Sequence, residues 1–264
     1  MTILNHKNFR SFVKAEYQKL QRPTGQARRR GVEKVVGMPG SGGSLEAVEE
    51  LLKEGIYNEE EACSNITEAV LELTSFLYSA GAEHQIWRRW SSLTAFGMFL
   101  TAEIHQAAQY AVLGGEWEFL KVLPAKPLTS QEVSERVLWT LVISQADPNL
   151  PNTETDSEDD AWLHLAKSIP AQDHRNTEAA LKTIADFWME ELEGEWINFH
   201  LGSYPDFHTP ACAVAALARH YGFTPISITP EQYSFLEAGL AISEPSPMFP
   251  NIFSLPESSK VSAV

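Results

Sequence analysis

The sequence predicts an all-α fold, and three observations carry that expectation. No stretch sustains a two-residue alternation of apolar and polar side chains. Apolar residues instead recur every three or four positions through most of the chain, and the periodic runs are bounded by residues that start or stop helices. The one strand-like fragment, PISIT at 225–229, is too short for a sheet.

The longest periodic run covers 83–114. Ile86, Trp90, Leu93, Gly97, Leu100, Ile104, Ala107 and Ala111 form one continuous apolar stripe, which Trp87, Phe96, Phe99, Ala108 and Val112 widen. Gly97, Ala107, Ala108 and Ala111 leave room for a neighbouring helix, and Gly114-Gly115 supplies a stop. The expectation is a single helical domain of about eight to ten helices packed around one long central helix. Glu103, His105, Gln106 and Gln109 break the apolar run well short of the roughly 20 residues a membrane span needs.

The other elements follow in order. Phe9, Phe12, Val13, Tyr17 and Leu20 make 2–20 a short amphipathic helix. A linker then carries Arg28, Arg29 and Arg30 and a glycine cluster at Gly37, Gly40, Gly42 and Gly43. Ser44 and Asn58 each open a helix with glutamates in its first turns, where negative charge suits the dipole. The second of these buries Ala62, Ile66, Ala69, Val70, Leu73, Phe76, Leu77 and Ala80. After the long run, 114–124 is a short helix ended by Pro124, and Thr129-Ser130 begin one with a Val133, Val137, Leu138, Leu141, Val142 core side. Trp162, Leu163, Leu165, Ala166 and Ile169 define the next helix, and Ala179, Ala180, Leu181, Ile184, Phe187, Trp188 and Leu192 the inward face of the one after. Thr209-Pro210 is a helix start, and the nearly all-apolar run after it reads as a second buried helix ending at Gly222. Thr229-Pro230-Glu231 starts the last helix. The domain reading is an N-terminal helix and linker at 1–44, a helical core at 45–242, and a proline-rich tail at 243–264 that wraps the surface or is disordered.

The formal net charge is −15 and the isoelectric point is near 4.9. So acidic a surface repels nucleic acid and anionic membranes and favours a basic protein partner. Two cysteines, Cys63 and Cys212, form neither a disulfide framework nor a zinc motif. The first residues lack the apolar core and cleavage site of a signal peptide, so the expected location is the cytoplasm.

Little catalytic chemistry is legible. The glycine cluster lacks the Gly-Lys-Ser/Thr of a phosphate-binding loop. Cys212 lies near a helix start, four residues after His208, where a thiolate would be favoured, but its Ala-Cys-Ala-Val-Ala-Ala-Leu surroundings read more strongly as the packing of a small buried side chain. His200 and His208, with Asp206 between them, could gather around a metal on a loop, but no second cluster backs this up. The tryptophans at 87, 90, 117, 139, 162, 188 and 196 occupy core positions without the basic neighbours of a base-stacking platform. No cofactor, metal or catalytic residue is expected. The acidic clusters are different: Glu154, Asp156, Glu158, Asp159 and Asp160 form one, and Glu190, Glu191, Glu193 and Glu195 the other. Concentrated carboxylates steer and hold a basic partner.

The order of elements resembles the all-helical immunity proteins of bacterial polymorphic toxin systems, most closely the immunity protein 49 family. The resemblance spans about residues 60–240 and rests on three features: Trp87, Trp90, Ala95, Phe96 and Gly97 in the long helix; Phe187-Trp188-Met189; and Cys212-Ala-Val-Ala-Ala-Leu-Ala followed by Gly222-Phe223 and a final helix through Phe235-Leu236. It implies a cytoplasmic protein that blocks a co-encoded toxin by occlusion, a basic nuclease being one such toxin, and it transfers no catalytic residue. The expected partner is this toxin, bound at the acidic clusters, with a homodimer left open. The alternatives are a cysteine-dependent enzyme using Cys212 and His208, and a helical adaptor.

Overall fold

The computed structural model describes residues 2–21, 43–79, 82–123, 133–143, 158–194, 209–241, 248–249 and 253–254. Among them the chain is all-α, with eleven helices and, besides, one two-residue parallel strand pair. Two compact units divide it: Met1–Pro124 with Pro247–Val264, and Ala125–Ser246.

The first unit holds β1 (Thr2–Ile3), α1 (His6–Gln21), α2 (Gly43–Lys53), α3 (Glu59–Ser79), α4 (His84–Leu100), α5 (Ile104–Gly114), α6 (Trp117–Leu120) and β2 (Phe253–Ser254). Polar side chains set the helix starts. Asn5 Oδ1 accepts from the Asn8 amide at 2.9 Å. Asn58 Oδ1 accepts from the Glu60 and Glu61 amides, while Glu61 accepts in return from the Asn58 amide. Such reciprocal caps satisfy amides that the first helical turn leaves unpaired.

The stretch 83–114 is not the single long helix its periodicity suggests. At Ala102 the backbone turns left-handed, with φ of 66°. The Glu103 amide donates to the Met98 carbonyl at 2.8 Å, and the Thr101 hydroxyl bonds back to the Gly97 and Met98 carbonyls. This ends α4 as a glycine would, but with alanine, so composition gives no warning. The two halves pack on each other. A Cβ on Gly114 would sit 3.0 Å from the Ser92 amide nitrogen, although 22 residues of straight helix would separate the two by roughly 33 Å. Arg88 locks the hairpin by donating to the Leu113 and Gly114 carbonyls at the end of α5. Residues 90–98 are buried without a break, so α4 is enclosed on all sides, with α1, α3 and α5 packed against it. Its close approach to α3 needs Gly97, where a Cβ would meet Thr67 Oγ1 at 2.5 Å.

His84, the first residue of α4, stands edge-on to Trp87, with ring centroids 4.9 Å apart. Burial, and then the Arg88 charge, lower its pKa from 6.5 to about 4. The unfolded chain therefore takes up a proton that the folded chain refuses, and stability falls as pH drops through that window. The loss is on the order of 1–2 kcal/mol after allowance for the ring's partial solvent access. His84→Phe should remove this fall. A urea-midpoint difference between variant and wild type that stays constant from about pH 7 to about pH 4 would contradict the assignment.

The second unit holds α7 (Val133–Ile143), α8 (Glu158–Ser168), α9 (His174–Gly194), α10 (Thr209–His220) and α11 (Pro230–Leu240). Its central helix is α10, buried continuously over 211–218 and packed by α7, α9 and α11. Thr229 and Gln232 cap α11 reciprocally. The inward face of α9 differs from the expected set. Thr177, Glu178, Ala180, Leu181, Ile184 and Ala185 are buried, whereas Ala179 is exposed and Phe187 and Trp188 are half-buried. Polar bonding explains part of this rotation. Glu178 accepts from the Ile226 and Ser227 amides, Lys182 donates to the Ser227 carbonyl, and Asp186 accepts from Gln232 Nε2 at 2.7 Å. One helical row thus stitches down the 226–232 link.

Candidate partner-binding surface

Charge is divided unequally between the units. Residues 125–246 contain 19 Asp and Glu against 6 Lys and Arg, a net −13; the rest of the chain contains 16 against 14, a net −2. Any field that steers a basic partner therefore originates in the second unit.

Within that unit the fold accounts for some carboxylates and not others. Glu158, Asp159 and Asp160 occupy the first turn of α8, where they complement the helix dipole. Glu158 also accepts from Trp162 Nε1 at 3.0 Å. Glu178 turns inward: burial alone would raise its pKa, but the Ser227 and Ile226 amides outweigh that and lower it. Glu190, Glu191 and Glu193 have the opposite placement. They fall in the last five residues of α9, which has no basic residue in its last turn. A carboxylate in the last turn of a helix opposes its dipole at a cost of about 0.3–1 kcal/mol. Glu190 is exposed.

α8 and α9 pack together across the short 169–173 link and so form an antiparallel hairpin. α8 has 11 residues and α9 has 21, so α9 runs past the start of α8 by roughly 15 Å. The hairpin brings 158–160 and 190–193 to one end. Glu154, Asp156 and Glu195 lie outside the described residues, as do His200, Asp206, His208, Trp196, the Arg28-Arg30 run and Gly37, Gly40 and Gly42 of the glycine cluster, whereas Gly43 is the first residue of α2.

Cys212 does not have the surroundings of an activated thiol. It is 0 % exposed within α10, and burial pushes its pKa up to about 12. Cys63 is also buried and is pushed up to about 11. Among the described residues no group of His, Cys, Asp and Glu could hold a metal ion, and no helix is long and apolar enough to cross a membrane. Trp87, Trp90, Trp139 and Trp162 are core residues, and Trp117 and Trp188 are half-buried.

Sequence reasoning missed two buried carboxylates altogether. In the first unit Glu116 is buried and accepts from Ser92 Oγ at 2.9 Å and from the Phe249 amide at 3.1 Å. Burial raises its pKa, opposed by Ser92, the Phe249 and Met248 amides and the Arg88 charge. Glu16, also buried, accepts from both Arg89 and Lys19. Burial would raise the Glu16 pKa, but these two cations prevail and lower it. The tail expected at the surface contributes Phe249 to this interior, at 3 % exposure.

Comparison with protein-family models, curated proteins and solved structures finds no match to the chain.

Proposed function

We propose that the chain is an immunity protein, of the immunity protein 49 kind, that captures a basic bacterial toxin at the acidic end of the α8–α9 hairpin and blocks it by occlusion. The observation that carries this reading is the run Glu190, Glu191, Glu193 at the C-terminal end of α9, inside a unit of net charge −13. Folding gains nothing from carboxylates that oppose a helix dipole; a cationic partner gains both attraction and orientation from them. A basic nuclease presents the complementary charge, because it must itself bind phosphate. Occlusion also suits a protein whose Cys212 thiol is sealed in packing.

The test is co-expression with the product of the gene immediately upstream. Expected is growth arrest by that product alone, relief by this chain, and a complex that weakens as salt rises. An upstream product that neither arrests growth nor binds the chain overturns the reading.

A further inference from the structure

The exposed side of α9 carries charge of opposite sign at its two ends. At 3.6 residues per turn Arg175, Ala179, Thr183, Asp186 and Glu190 fall within about 80° of arc, and all of them are exposed. In the first half of the helix the cations are Arg175 and Lys182, while the carboxylate of Glu178 is turned inward onto the Ile226 and Ser227 amides. The second half carries Asp186, Glu190, Glu191 and Glu193 and no cation. The side chains between the two ends, Ala179 and Thr183, are small. Among the described residues neither Arg175 nor Glu190 is paired with an opposite charge.

A helix face with that order of charge is complementary to itself run antiparallel. Arg175 and Glu190 are separated by roughly 22 Å along the axis. A two-fold axis near Lys182 and Thr183 therefore brings Arg175 of each chain to Glu190 of the other at the same time, which is the isologous contact of a C2 dimer. Apolar surface borders the same face. Ile226 is 85 % exposed, more than any other large apolar side chain among the described residues. Its backbone is fixed to one edge of α9: Glu178 Oε1 accepts from the Ile226 amide at 2.9 Å, and Lys182 Nζ donates to the Ser227 carbonyl at 3.3 Å. Half-buried Met189 stands on that edge too, within about 40° of arc of Glu178 and Lys182. The two-fold axis sets this edge of one chain against the same edge of the other, with position 178 opposite 187. Ile226 of each chain then lies at the level of the adaptable Met189 side chain of the other, within about 3 Å along the helix.

We propose that this face of α9, with Ile226 and Met189 along its edge, is the interface of a symmetric antiparallel dimer whose second member is another copy of this chain. Opposite charges at both ends set its direction and register, and the small Ala179 and Thr183 let the helices approach between them. The inference does not rest on toxin capture, although both use Glu190, so a second copy and a toxin exclude one another at that end.

Sedimentation velocity of the full chain alone, up to about 100 µM, spans the micromolar range in which a small, largely polar interface associates. The wild type is expected to be dimeric at the top of that range. Arg175→Glu and Glu190→Arg each place like charges at both ends of the interface and should raise the dissociation constant at least about tenfold. Both changes suit the α9 dipole, an acid near its start and a base near its end, so the fold is kept. Ile226→Ser should raise the constant at least about threefold. An equimolar mixture of the two charge variants decides, because in the heterodimer each substituted position meets an opposite charge again. The mixture should return to within about threefold of the wild-type constant. A wild type that stays monomeric, a charge variant or Ile226→Ser chain that dimerises as the wild type does, or a mixture that stays monomeric overturns the proposal. None of these outcomes bears on toxin capture, which the upstream product tests separately.

Discussion

Gly239→Ala should destabilise the chain by about 2–3 kcal/mol, although alanine is intrinsically the better helix former by about 1 kcal/mol. Gly239 lies in α11 against α10. A Cβ there would collide with the Cys212 carbonyl oxygen and sit 2.8 Å from the Ala216 amide nitrogen and 2.9 Å from Ala215 Cβ. Two of these atoms are backbone of a helix buried over eight consecutive residues, so no side-chain rotation can relieve the contact. The helices must separate, and the close contact at Cys212, Ala215 and Ala216 loses packing as they do. Urea unfolding of the two chains checks this. An unchanged or raised midpoint would mean that α10 and α11 are not so closely apposed.

Arg89→Ala should cost about 2–3 kcal/mol at neutral pH, below the roughly 3–5 kcal/mol expected when a fully buried ion pair loses one partner, because Arg89 is itself one-third exposed and Lys19 stays paired with Glu16. Arg89 donates to both Glu16 oxygens and to the Met248 carbonyl, and it covers the Phe249 ring. Its removal leaves Glu16, 2 % exposed, with Lys19 as its remaining cation on the same helix. The pH dependence identifies the cause. In the wild type the Glu16 pKa is lowered, so its stabilisation is present above the ordinary carboxyl value of 4.5 and lost as pH falls through the folded value. In the variant the Arg89 contribution is gone and burial is opposed by Lys19 alone, so the Glu16 pKa moves up from its wild-type value and the penalty shrinks once the carboxyl is protonated. The difference between the two chains should therefore be largest near pH 7 and shrink below about pH 4.5. Adding Glu16→Met should recover most of the loss at pH 7, since no buried charge then remains unpaired. A pH-independent difference that Glu16→Met does not relieve would point to packing instead.

How much of this was legible follows from the range of the interactions. Local chemistry read correctly: the Asn58 and Thr229 caps, the left-handed Gly115 stop and the enclosed helix at 211–218 are all set by residues within a turn or two. The break at Ala102 was hidden because its left-handed residue is not glycine, and because the apolar stripe continues across it. Folding back at that point makes one apparent spine into a hairpin. The enclosed helices that organise the two units are α4 and α10. Long-range polar pairing was also invisible. Glu16 and Arg89 are 73 residues apart, and Glu116 and Phe249 are 133 apart, so neither pair leaves a local pattern. The face of α9 was misjudged at Ala179 partly because Glu178, an acidic residue, is turned inward by two backbone amides. Composition did reveal the acidic clusters. Their concentration in one unit, and the opposition of Glu190, Glu191 and Glu193 to the α9 dipole, emerged only with helix ends and unit boundaries in hand.

The association rate of the upstream-gene product with two matched triple variants tests the central claim most directly. One variant neutralises the end of α9 (Glu190→Gln, Glu191→Gln, Glu193→Gln). The other removes the same formal charge from exposed positions of the first unit (Glu54→Gln, Glu68→Gln, Glu72→Gln). At low salt the first should slow association at least tenfold and the second by less than about twofold, with the gap closing near 1 M salt, where the Debye length falls to about 3 Å. Equal slowing by both variants, or none by the first, would contradict capture at the acidic end of the α8–α9 hairpin.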